Sequence, residues 1–384
     1  METYRDLTGA VARREPQMHK MIAQLVGLES PTEDRAAVNR CVTLVEGWIK
    51  ASGGKSRRGR QKSAGDLLIG QFGPVRTKTK PVMLLGHLDT VWPLGTLRQM
   101  PFQVRAGRVW GPGVLDMKAG VVMALSALRT LHETGQLHRP VIFLLNSDEE
   151  TGSEHSRTLT ESLAKKCEAV FVLEPAQGLS GAYKTARKGV GHYRLRVHGI
   201  AAHSGVDFTH GHSAVLELGR QIERASSFTN LPRGITVNPG VIGGGTRSNV
   251  VAAEAWAEFD VRIAKAVDAE RVDRRFRSLR PIDRKCTLEI EGGLNRPPME
   301  RTSGTVALFR RAATMAAGLG FDLQEAATGG GSDGNFTSAL GIPTLDGMGA
   351  IGEGAHADSE SILLDALVPR TALLAAMIGG LSLE

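Results

Sequence analysis

The sequence predicts an α/β protein whose sheet is mostly parallel, covered by helices on both faces, and interrupted by a smaller α+β insertion. Three observations carry this. Short, continuous apolar runs alternate with helical periodicity in the first part of the chain. The middle switches to residue-by-residue alternation. The helix–strand pattern then returns after residue 303. A length of 384 residues favours two domains over one core.

Taken in order, Ile22, Leu25, Val26 and Leu28 form a helical face that Pro31 ends, and Val38, Cys41, Val42, Val45 and Ile49 form another up to Gly53-Gly54. Buried-strand candidates follow at Leu67–Ile69, Val82–Leu85, Val141–Leu145 and Ala169–Leu173, with a helix over Gly120–Leu131. The basic run Lys55–Lys62 lacks interleaved aromatics and reads as a solvated loop. In the middle, Tyr193, Leu195 and Val197 mark a strand, and Val215, Leu218 and Ile222 a helix. Two strands follow, Ile235–Ile242 and a run with Ala257, Phe259, Val261 and Ile263 on one face. Ala269, Val272, Phe276 and Leu279 mark a helix that Asp268 would cap, and Leu288 and Ile290 close with a fourth strand. This β-α-β-β-α-β order is that of a ferredoxin-like split unit. The expected organisation is therefore a domain of residues 1–183 and 296–384 and an inserted domain of residues 184–295. An apolar helix, Leu363 to Leu381, ends the chain.

Composition narrows the function classes. A formal charge of +7 is scattered, so a nucleic-acid partner is not expected. No apolar stretch approaches the roughly 20 residues of a membrane span, and residues 1–10 lack a hydrophobic signal core. Cys41, Cys167 and Cys286 are odd in number and far apart. They suggest neither a disulfide framework nor a thiolate metal site, and a cytoplasmic location is the expectation.

Ligands in open α/β sheets gather beyond the carboxyl ends of strands, and residues of metal-binding type stand at such positions here. Val82–Leu85 leads to His87 and Asp89, Val141–Leu145 to Glu149 and Glu150, and Ala169–Leu173 to Glu174. Asp116 stands just before a helix, and His356 follows a glycine-rich turn. Adjacent glutamates point in different directions, so one can ligate while the other moves protons. Two histidines and several carboxylates without a thiolate suit zinc or a similar divalent ion in an open site. Asp89, two residues from His87 in an extended segment, faces the same way and can fix the imidazole tautomer.

These segments resemble the di-zinc aminoacylase/carboxypeptidase family, over essentially the whole chain and in order. The matches are Gly86-His87-Leu88-Asp89-Thr90, Gly111-Pro112-Gly113 through Asp116-Met117-Lys118-Ala119-Gly120, Asp148-Glu149-Glu150-Thr151-Gly152-Ser153 and Leu173-Glu174-Pro175. Further along come Ala202-His203-Ser204-Gly205, Arg247-Ser248-Asn249-Val250, Asp260-Val261-Arg262, Gly329-Gly330-Gly331-Ser332-Asp333 and Gly354-Ala355-His356.

The resemblance implies two zinc ions per subunit, with cobalt or manganese as alternatives. Asp116 would bridge them, His87 and Glu174 completing one site and Glu150 and His356 the other. Glu149 would be the general base acting on a bridging hydroxide, and the Asp116–Met117 peptide a candidate cis bond. His203 would stabilise the oxyanion across a homodimer formed through the inserted domain, which also serves as a lid. Asn249, Arg262, Arg296 and Gly330 would bind the substrate. The activity implied is hydrolysis of the amide bond of an N-acyl amino acid or small peptide with a free carboxylate. The glutamate carboxypeptidase branch is the nearest in its motifs; deacylases of the acetylornithine or succinyl-diaminopimelate type are the alternative. A catalytically silent binding module would have lost Glu149 or a ligand, and every such position is filled.

Overall fold

The computed structural model describes residues 2–75 and 77–380. The chain divides into two compact units. One contains the segments up to Ala186, Arg301–Thr328 and from Ser332 onward; the other contains Arg187–Glu300 with Gly329–Gly331. The junction falls a few residues later than the expected 184–295. Arg187 and Met299 exchange backbone hydrogen bonds at 2.9 and 3.0 Å, closing the base of the smaller unit. Arg187 also donates to the carbonyls of Gly330 and Gly331, which fixes that short segment to the same unit.

The larger unit is built on a six-stranded mixed sheet. Its spatial order is Lys55–Gly59, Leu67–Phe72, Val141–Asn146, Val82–His87, Ala169–Val172 and Thr344–Leu345. The last four are mutually parallel, while Leu67–Phe72 runs antiparallel to both neighbours. Side chains alternate across the sheet as the pleat demands. Val82, Leu84, Val141, Phe143 and Phe171 face a core shared with the helices Glu15–Val26, Arg35–Ala51, Ala119–Glu133, Ser303–Gly318 and Leu367–Gly380. Met83, Leu85, Leu144, Val170 and Val172 face the opposite way, onto Leu163 and Ala164 of helix Arg157–Ala164.

The structure corrects several expectations. The basic run after Gly54 is not a loop: Lys55–Gly59 is the edge strand. Edge positions accept charged side chains, and Glu46 engages this one through Ser56 and Arg58 at 2.9 and 2.7 Å. The last helix begins at Leu367 and not at Leu363, because Ser361–Leu363 pairs as a strand with Arg108–Trp110; the expected end, Leu381, lies outside the described residues. Asp268 does not cap its helix. It lies buried in the first turn of Ala266–Arg277, where the Arg233 guanidinium grips it at 2.7 and 3.0 Å.

The smaller unit has four antiparallel strands in the order Thr236–Gly244, Glu254–Ile263, Gly189–His198, Thr287–Arg296. Helices Ala214–Ser226 and Ala266–Arg277 complete the ferredoxin-like order. Its core centres on Phe276, which stacks on Tyr193 at 4.0 Å and meets Phe259 edge-on.

Candidate metal centre

The strand Val82–His87 lies between Val141–Asn146 and Ala169–Val172: the connection from it runs to one side, and the connection from Val141–Asn146 runs back across it to the other. Such a switch point leaves an open crevice beyond the strand ends. His87 is the last residue of the central strand and pairs in register with Asn146. Glu149 and Glu150 follow Asn146 on a single 3-10 turn, and Glu174 lies two residues past Val172. The turn Val114–Lys118 brings in Asp116, whose peptide bond to Met117 is cis. The helix Ala119–Glu133 behind it packs so closely that a side chain at Gly120 would stand 2.3 Å from the Leu173 carbonyl. That glycine lets the helix following Asp116 close onto the residue before Glu174.

These elements converge on Asp116. Its Oδ1 lies 3.3 Å from Nε2 of His87, and its Oδ2 lies 3.2 Å from Nε2 of His356. Glu174 Oε1 is 3.6 Å from the same His87 nitrogen, and Glu150 Oε2 is 3.3 Å from that of His356. Ligand atoms of His87, Asp116 and Glu150 form one group within 4.8 Å, and those of His87, Glu149 and Glu174 another. His356 adopts a left-handed backbone (φ 62°) just after Gly354 (φ 81°), which turns its ring back onto Asp116.

Beyond this contact, the Nδ1 nitrogen of His87 lies 3.0 Å from the backbone carbonyl of Asp89 and 3.4 Å from its carboxylate. The nearer partner is thus the main chain, not the side chain expected from spacing. The Asp89 Oδ2 oxygen accepts from Thr32 Oγ1 at 2.8 Å and from the Glu150 amide at 3.1 Å, tying two strand ends together.

Charge is concentrated here. Burial works against protonating His87, yet Asp116, Asp89 and Glu174 outweigh it and lift the imidazole well above its ordinary pKa. Burial raises Asp116, but His356 and His87 bring it far below the usual carboxylate range. Asp116 and Glu150 lift His356 to about 10. Burial pushes Glu150 up despite the pull of His356.

Two further acids take part: Asp148, which stands in the matched motif without an assigned role, and Glu360, which the sequence did not single out. Asp148 is buried, which raises its pKa, and it accepts from the amides of His155 and Ser156, shaping the loop after the glutamate pair. Glu360 is 1% exposed and receives donors from Trp92, Gly113, Leu115 and Asp116; burial raises its pKa against those donors. A buried acid with several backbone partners has no local signature in an Asp-Ser-Glu-Ser string.

The remaining candidates lie in the smaller unit. His203 is exposed, and its Nδ1 accepts from the amides of Gly205 and Val206 at 3.2 Å. Asn249 is exposed, and its carbonyl accepts from the Ser204 amide. Arg262 is already forked onto Asp260 at 2.8 Å through both Nε and Nη2. Arg296 is buried at the end of its strand beside Gly331, and the Gly330 carbonyl accepts from Arg187.

The donor set fits divalent cations. It offers imidazole nitrogens and carboxylate oxygens without a thiolate, both oxygens of one carboxylate face separate histidines, and the buried Glu150 Oε1 has no hydrogen-bond partner. With the sheet that carries it, this set defines a hydrolytic metalloenzyme. The chain belongs to peptidase family M20/M25/M40, whose model matches residues 83–379. It is similar to carboxypeptidase G2 of Pseudomonas sp. (strain RS-16), at 27% identity over 96% of this chain and 90% of the relative. A succinyl-diaminopimelate desuccinylase of Stenotrophomonas maltophilia (strain R551-3) is 25% identical over 90% of this chain and 94% of its own. Among solved structures, a tripeptidase from Staphylococcus aureus shares the fold with a TM-score of 0.77 at 19% identity, covering 95% of this chain and 98% of that one.

Proposed function

We propose that this metallohydrolase cleaves the amide bond of an N-acyl amino acid or small peptide bearing a free carboxylate, in the manner of a carboxypeptidase. The observation that carries the proposal is Asp116, with one oxygen toward His87 and the other toward His356. Under this reading His87 and Glu174 would hold one zinc ion and Glu150 and His356 a second, with Asp116 within reach of both. Such cations polarise the scissile carbonyl and acidify water.

The chain's own residues do the rest. The Asp89 carbonyl favours the neutral His87 tautomer with its proton on Nδ1, which would leave the Nε2 lone pair for a cation. Glu149, grouped with His87 and Glu174, takes the proton of the attacking water on a carboxylate oxygen and delivers it to the leaving amine. Because two amides occupy Nδ1 of His203, its neutral ring carries the proton on Nε2 and offers a donor. That donor suits an oxyanion, supplied across a homodimer. Arg296, Asn249 and Gly330 are assigned to the substrate's free carboxylate end, a task to which a guanidinium fork is suited. Arg262 would have to exchange Asp260 for substrate to join them. We place the protein in a reducing compartment such as the cytoplasm, since its three cysteines are free and buried.

The test is a panel of N-acyl amino acids and dipeptides with added zinc, cobalt or manganese. Chelator-sensitive release of a C-terminal amino acid supports the proposal, and no turnover of any member would refute it. The similarity to a desuccinylase over most of both chains favours a deacylase as the second reading, which preference for acyl donors over peptides would select.

A further inference from the structure

The loop that carries His356 also carries Glu360, and Glu360 reaches across to the turn that carries Asp116. Its Oε2 accepts from the Gly113 amide and Trp92 Nε1, both at 2.8 Å. Its Oε1 accepts from the amides of Leu115 and Asp116 at 2.8 and 3.0 Å. The backbone makes the same connection: the Glu360 carbonyl accepts from the Gly111 amide, and Ser361 pairs with Trp110. Burying a carboxylate this completely is costly, and the four donors offset the cost only while both loops hold their places. A single side chain thus grips the main chain leading up to and including one candidate ligand, four residues from another.

We propose that Glu360 is a positioning residue that fixes the gap between Asp116 and His356, and so acts chiefly on the cation site that those two residues form with Glu150. His87 ends its own strand and Glu174 closely follows another, whereas His356 sits on the loop that carries Glu360. The inference rests on the metal-centre reading above, and the experiment keeps the two separable.

Glu360→Gln preserves shape but turns one oxygen into an amide group that cannot accept, so two of the four donors lose their partner. Zinc titration of the full-length protein against a competing chelator resolves the two affinities. We expect Glu360→Gln to weaken the site of Asp116, Glu150 and His356 by about 10- to 100-fold. The site of His87 and Glu174, which shares Asp116, should weaken less than the first, and Glu360→Asp should recover part of the loss. Equal weakening of both sites would overturn the proposal. Should the glutamine variant fold poorly, Trp92→Phe removes one donor and should show a smaller loss at the same site. A lower Tm of the metal-free variants with both zinc affinities unchanged would overturn the proposal, leaving Glu360 a fold staple. Asp116→Asn is the control: if it keeps both cations at wild-type affinity, the metal-centre reading itself falls, whatever Glu360 does.

Discussion

Nε2 of His356 stands 3.2 Å from Oδ2 of Asp116, and this contact together with Glu150 raises the histidine's pKa to about 10. His87, on the other oxygen of the same carboxylate, is raised as well. Without cations, both rings are therefore protonated near neutral pH, and each must lose a proton before it can ligate. Zinc uptake at pH 7 should release on the order of two protons, read by calorimetry in buffers of differing ionisation enthalpy. Uptake without proton release would contradict the arrangement.

The same shift gives a stability prediction with a definite sign. A histidine whose folded pKa lies above its unfolded value stabilises fully below about 6.5 and ceases to do so as pH rises through about 10. The metal-free protein should lose stability between pH 7 and pH 10, and the zinc-loaded protein should lose less. Because His356 is half exposed, solvent screening keeps the effect modest. Denaturant midpoints across that pH range check it.

Glu149→Ala should retain both cations and lose turnover by about 100- to 10,000-fold, the usual worth of a positioned general base. Metal content and kcat measured on one preparation separate this from loss of a ligand. Near wild-type kcat would remove Glu149 from its role.

His203→Ala should also cripple turnover. If the histidine serves a partner subunit, mixing this variant with Glu149→Ala should restore part of the activity through heterodimers. No recovery after verified subunit exchange would count against a shared site.

Gly120→Ala tests the packing behind the centre. A methyl group there meets the Leu173 carbonyl at 2.3 Å, and backbone cannot yield as a flexible side chain would. A loss of about 1–3 kcal/mol in unfolding free energy is expected. Unchanged stability would mean that the helix shifts freely.

What the sequence disclosed and what it hid follow one physical division. That His87, Glu150 and Glu174 would lie near one another was legible because each stands at or just past the end of a buried apolar strand, a pattern set by neighbours in the chain. The ferredoxin-like unit was legible because Tyr193, Leu195 and Val197 alternate cleanly. Glu360 was not, because its burial depends on pairing between Ser361 and Trp110, far apart in sequence. Lys55–Gly59 looked solvated because an edge strand needs no apolar face, and the antiparallel direction of Leu67–Phe72 follows from that hairpin. The preference of His87 Nδ1 for the Asp89 carbonyl over its carboxylate is a matter of a few tenths of an ångström, below what residue spacing can specify.

The most direct test is a crystal of zinc-loaded protein measured on both sides of the zinc absorption edge. The account predicts two anomalous peaks flanking Asp116, one beside His87 and Glu174 and the other beside Glu150 and His356. A single peak, or peaks remote from Asp116, would contradict it.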